Sequence, residues 1–171
     1  MMTLAQYQAI SARTAPTHLC DEERRINAAM MIVGEFGELL DIIKKHRFQG
    51  HPLDRDALRG EFGDVMWGLA ECFTIEGWTM AARIPTESTC VVQVAFIVAG
   101  EACDIAQNGV HRHGVGNSAT IRLEMLTGDI VRLITEHGFT QTEVLEHNVA
   151  KLRARYPDGF SVEASINRGT P

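Results

Sequence analysis

Residues 31–43 read MIVGEFGELLDII, and residues 60–70 read GEFGDVMWGLA. Each apolar stretch carries two acids three residues apart, Glu35 with Glu38 and Glu61 with Asp64. The recurrence of apolar residues through both stretches, without strict alternation, predicts helices. On a helix an i, i+3 pair projects from one face, with Cβ atoms about 5–6 Å apart. Neighbouring anions repel one another, and anions among apolar side chains lose hydration. A divalent cation relieves both penalties. Four carboxylates from two packed helices make a hard, all-oxygen site suited to Mg²⁺ or Mn²⁺.

A lone Glu-x-x-Glu is common on solvated helix faces, so the surroundings decide its meaning. Between positions 28 and 43 the charged residues are Glu35, Glu38 and Asp41 alone. Met30, Met31, Ile32, Val33, Phe36, Leu39, Leu40, Ile42 and Ile43 cover almost every side, so the helix is expected to be mostly buried. Gly34, Gly37 and Gly63 sit beside the acids. Each mid-helix glycine costs about 1 kcal/mol relative to alanine, which predicts that a helix or a ligand approaches closely there.

Outward from these two stretches, helical periodicity dominates and no alternating strand pattern stands out. A first helix is expected over residues 4–15, stopped by Pro16. A second runs from 21 to 45 or 46, with Asp21, Glu22 and Glu23 at its start and Lys44, Lys45 and His46 at its end complementing the helix dipole. The stretch Gln49-Gly50-His51-Pro52 reads as a turn. A third helix covers 54–76 and ends at Gly77.

The second half reads as a worn copy of the first. IVGEFGELLDI aligns with VAGEACDIAQN, setting Glu35 against Glu101 and Glu38 against Asp104. GDVMWGLAECFTIEGWT aligns with GDIVRLITEHGFT, setting Asp64 against Asp129. A nearly constant offset of about 65 residues points to internal duplication. Leu126 stands where the first copy has Glu61, so the second set holds three acids and is expected to bind metal weakly or not at all. Only the second copy has a good further helix: Thr140-Gln141-Thr142-Glu143 fits a capping box, and the helix runs to about 155 before Tyr156-Pro157-Asp158-Gly159 ends it. The expected division is a first repeat over 1–82, a second, degenerate repeat with the last helix over 83–161, and a tail over 162–171, packed as one pseudo-dimeric helical domain.

The length of 171 residues suits one domain or two small ones sharing a core. No apolar run is long enough for a membrane span, and the first residues lack a signal-peptide pattern. A net charge of −6 argues against non-specific binding to nucleic acid or an anionic membrane. Cys20, Cys72, Cys90 and Cys103 form no Cys-x-x-Cys and are expected as reduced core thiols in a cytoplasmic protein. His46, His51, His111 and His113 lie in polar segments without a cysteine pattern and are expected as exposed loop histidines.

GEFGE (34–38), the His-Pro-Leu-Asp turn (51–54), EFGDVMW (61–67) and NVAKLRARYPDGF (148–160) together resemble MazG-like proteins, of the all-α nucleoside triphosphate pyrophosphohydrolase superfamily. YQAISARTA (7–15) is similar to the start of bacterial and phage MazG-like chains. The segment from 83 to 138 departs from a single-unit member, and a tandem arrangement similar to that of dimeric dUTPases accounts for it. The resemblance implies Mg²⁺-dependent hydrolysis of a nucleoside triphosphate to the monophosphate and pyrophosphate. It implies that Glu35, Glu38, Glu61 and Asp64 hold Mg²⁺ (or Mn²⁺) against the phosphates, with Glu38 orienting or deprotonating the attacking water. It further implies phosphate- and metal-side roles for Lys151 and Asn148, and a base or sugar contact for Tyr156. Lys44 and Lys45 are additional phosphate candidates, set against their role as helix-end charges. A homodimer or higher homo-oligomer is expected, as is usual in that family.

Two other classes compete. A di-iron carboxylate bundle needs Glu-x-x-His on two helices, and no glutamate here has histidine at i+3. A non-catalytic helical metal-binding or assembly protein that kept the fold is the stronger rival.

Overall fold

Glycines in the left-handed conformation, Gly50, Gly77 and Gly138, turn the chain just beyond three of its helices. A computed structural model of the chain describes residues 1–87, 90–108 and 116–167. Among them are seven α-helices and no strand: α1 (Leu4–Ser11), α2 (Asp21–Gln49), α3 (Arg55–Ile75), α4 (Val91–Asn108), α5 (Gly116–Glu136), α6 (Gln141–Arg155) and α7 (Val162–Ile166). A 3₁₀ turn, Ala12–Thr14, extends α1 up to the stop before Pro16. The fold is all-α, as expected.

α2 runs three residues beyond the expected end, to Gln49, because Gly50 caps it in the left-handed conformation (φ 73°). His46 therefore lies on the helix, with its Nδ1 3.0 Å from the His51 carbonyl oxygen. The capping box of α6 forms as its sequence predicts, with Thr140 and Glu143 exchanging side-chain and backbone hydrogen bonds. His111 and His113 lie outside the described residues.

α3 is the central helix. From Phe62 to Phe73 every residue except Asp64 is buried, a pattern that requires neighbours on all sides. α2 packs along it, α1, α5 and α6 lean on it, and α4 covers α2 and touches α5. One continuous core joins Tyr7 of α1, Phe36 and Leu39 of α2, Met66 and Leu69 of α3, Val98 of α4, Ile130 of α5 and Leu145 of α6. Two ion pairs tie α2 to α3, Arg24–Glu71 at 2.8 Å and Arg25–Glu76 at 2.6 Å. Glycine permits three close approaches, one of them at Gly68, where a Cβ would lie 2.7 Å from Ile32 Cγ1 of α2. A Cβ on Gly63 would lie 2.8 Å from Asn148 Cβ, and one on Gly128 would lie 2.0 Å from the Arg83 carbonyl oxygen.

α2 is not buried on all sides. Its core face is Ala28, Ala29, Ile32, Phe36, Leu39 and Ile43, while Met30 is 70% exposed and Val33 43% exposed. Counting apolar residues overstated its burial because only α3 and α4 are extensively packed on it. For the same reason Gly34 and Gly37 meet nothing within 4 Å, and the expected close approach holds for Gly63 alone. Of the cysteines only Cys72 is a core thiol; Cys20, Cys90 and Cys103 are exposed.

Candidate metal centre and cavity

Glu35 and Glu38 project from the middle of α2 and Glu61 from α3, where the two helices run side by side. One carboxylate oxygen from each of the three lies within 4.8 Å of the others. This is the one grouping of metal-ligating side chains of that size among the described residues. Partial burial and mutual repulsion dominate its electrostatics. Desolvation, then the charges of Asp64, Glu35 and Glu38, push the Glu61 carboxyl up to about 7. Glu35 is raised as well, first by desolvation and then by Asp64 and Glu38.

The fourth acid is held differently. Asp64 accepts a hydrogen bond from Asn148 Nδ2 at 2.9 Å and pairs with the Lys151 ammonium. Asn148 in turn accepts from the Tyr7 hydroxyl at 2.7 Å. Tyr7 and Asn148 are both completely buried, so this chain from α1 through α6 to α3 is fixed by packing. Asn148 thus positions Asp64 instead of facing a ligand. Burial, with a smaller contribution from the Asp64 charge, raises the Tyr7 phenol well above its usual range and keeps it a donor.

A cavity of about 540 Å³ opens beside the acids. Glu35, Glu38, Glu61, Asp64 and Lys151 line it. So do Trp67, Tyr156, Phe160, His18 and Met31, which form an aromatic and apolar cluster of their own. Phe160 stacks on His18 and tilts against Tyr156, each with ring centroids 5.6 Å apart. Arg155, one turn beyond Lys151, adds a second cation to the wall. A shallower opening on the far side of the acids is lined by Gly34, Gly37, Glu38, Asp41, Ile42 and Glu61.

Of the residues singled out in the sequence, Glu35, Glu38, Glu61, Asp64, Lys151 and Tyr156 share this cavity. Lys44 and Lys45 do not; both pair with Asp41 within α2, and because the helix continues to Gln49 its last turn carries His46 and Arg47 in their place. Sequence reasoning missed Tyr7, Arg155, Phe160 and the role of Trp67. Trp67 lies within the EFGDVMW motif itself, one helical turn after Asp64. Its indole N–H donates to Thr14 Oγ1 at 2.8 Å, a contact across 53 residues that no local pattern signals.

In the second half, Glu101 and Asp104 both face the Arg122 guanidinium, at 3.4 and 2.7 Å. Asp129 is buried, and desolvation raises its carboxyl pKa. No helix among the described residues is long and apolar enough to cross a membrane. Comparison of the chain with family models, with characterised proteins and with solved structures finds no match.

Proposed function

We propose that the chain is a Mg²⁺-dependent nucleoside triphosphate pyrophosphohydrolase, converting a (d)NTP and water to the monophosphate and pyrophosphate. The observation that carries this reading is one cavity lined both by a carboxylate cluster and by an aromatic cluster. That pairing suits a molecule with a polyanionic tail and a planar head. The resemblance of GEFGE, EFGDVMW and NVAKLRARYPDGF to MazG-like chains supports the same reading.

The donor set fits the metal. Glu35, Glu38 and Glu61 offer hard oxygens at close spacing, and the raised proton affinity of Glu35 and Glu61 is the mark of anions short of positive charge. A bound Mg²⁺ would neutralise the phosphate chain and lower the pKa of water near it. The remaining work falls to the side chains. Glu38 accepts a proton from the water whose oxygen bonds to the α-phosphorus, and the bond from that phosphorus to the bridging oxygen breaks as pyrophosphate leaves. Lys151 and Arg155 offer cations for the departing charge. Asp64, held by Asn148 and Lys151, fixes the α3–α6 side of the site. Trp67 and Tyr156 receive the base. In the second half Arg122 supplies internally the positive charge that Glu101 and Asp104 need. We assign the protein to the cytoplasm, where its cysteines stay reduced.

The test is a panel of canonical and damaged (d)NTPs assayed with Mg²⁺ or Mn²⁺. Pyrophosphate is the expected product for at least one. Glu38→Gln and Asp64→Asn are expected to lower the rate at least 100-fold with an unchanged helical circular-dichroism signal. Orthophosphate as product, or no turnover across the panel, refutes the reading and favours a non-catalytic assembly protein.

A further inference from the structure

One wall of the cavity is a single stripe of α2. Asn27, Met31 and Glu35 follow at intervals of four residues, with Glu38 one turn on, and all four line the cavity. The helical rise puts Asn27 about 12 Å along the axis from Glu35. That is comparable to the length of a nucleoside from its base edge to its α-phosphate. Met31 lies between them, a soft apolar surface suited to a ring or a sugar face.

Asn27 is half-buried, and its carboxamide is poorly engaged. Its Nδ2 reaches only the Met31 sulfur, at 3.9 Å, a weak acceptor. Two polar groups beside the aromatic rings are already engaged: the Trp67 indole N–H donates to Thr14, and the Thr14 hydroxyl donates to the Ser11 carbonyl oxygen at 2.7 Å. A primary amide with a free donor and acceptor, beside aromatic rings, matches the edge of a heterocycle that presents an acceptor next to a donor.

We propose that Asn27 is the residue that selects the nucleobase: its amide pairs with one hydrogen-bonding edge of a base lodged against Trp67 and Tyr156, while the phosphates reach the carboxylates further along α2. This rests on the nucleotide reading of the site and adds the group that discriminates among bases. Discrimination of this kind comes from leaving a site's polar groups unpaired with the wrong ligand.

The test is calorimetric titration of the full chain with AMP, GMP, CMP and UMP, and with ribose 5-phosphate as a base-free probe. At least one monophosphate is expected to bind tenfold or more tighter than ribose 5-phosphate. Asn27→Ala is expected to reduce the preference among bases at least tenfold, and alanine is the better helix former, so α2 persists. Asn27→Asp, which replaces the donor with acceptors, is expected to change which base is preferred. No advantage of any monophosphate over ribose 5-phosphate, or an unchanged order of preference in both variants, overturns the proposal. Pyrophosphate release is scored in parallel. Release with preferences unaltered by the variants removes this inference alone; altered preferences without release from any nucleotide keep it and remove the hydrolase reading.

Discussion

At the residue scale, the carboxylate cluster makes metal binding and stability respond to pH in opposite directions. Glu61 moves from an ordinary 4.5 to about 7 in the folded chain. The folded state therefore retains a proton that the unfolded state has released across that window. Fewer protons on the unfolded state mean that stability falls as pH rises. The metal-free protein is expected to lose thermal stability between about pH 4.5 and 7 through this group, with Glu35 acting in the same direction. Mg²⁺ is expected to restore the loss, and to do so more at pH 7.5 than at pH 5.5, because protons compete with it below 7. Thermal unfolding of the wild type and Glu61→Gln, with and without Mg²⁺, measures this. A stability difference between the two proteins that does not vary with pH would count against the assignment.

At the element scale, the glycines of α2 and α3 separate two effects that look identical in sequence. Gly63→Ala is expected to destabilise by about 1–3 kcal/mol, because its Cβ would drive into Asn148 and push α6 from α3. Gly34→Ala and Gly37→Ala meet no neighbour and are expected to stabilise by up to about 1 kcal/mol each. Denaturant titration distinguishes the signs, and a destabilised Gly34→Ala would contradict the open face of α2. The end of α3 and the cap of α6 were legible in the sequence because Gly77 and the Thr140–Glu143 box act within a few residues, whereas the end of α2 was placed too early because Gly50 was read as part of a turn and not as its cap. The convergence of Glu35, Glu38 and Glu61 was legible because i, i+3 spacing and a short turn between α2 and α3 suffice to bring them together. The link from Tyr7 through Asn148 to Asp64 was not, since it joins positions 141 and 84 residues apart. Nor was the exposure of α2, which depends on which helices pack against it.

At the scale of the whole molecule, the two halves are unequal, and the apolar surface is unfinished. α4 neighbours both α2 and α5. All three carry exposed apolar side chains: Met30 and Val33, Val92 and Phe96, Ile121 and Met125. Phe96 is 77% exposed, and an apolar patch spread over neighbouring helices marks an interaction surface. A homodimer or higher homo-oligomer is expected, and Met30→Asp with Phe96→Asp is expected to shift it to monomer in analytical ultracentrifugation. A wild type that sediments as a monomer at micromolar concentration would contradict this. The inequality of the halves bears on the central claim, that carboxylates from α2 and α3 of the first half converge to hold a hard cation. The most direct measurement is Mn²⁺ titration followed by electron paramagnetic resonance in the wild type, Glu61→Gln and Asp129→Asn. Saturable binding that Glu61→Gln abolishes and Asp129→Asn leaves intact is expected; no saturable binding, or equal loss in the two variants, would contradict it.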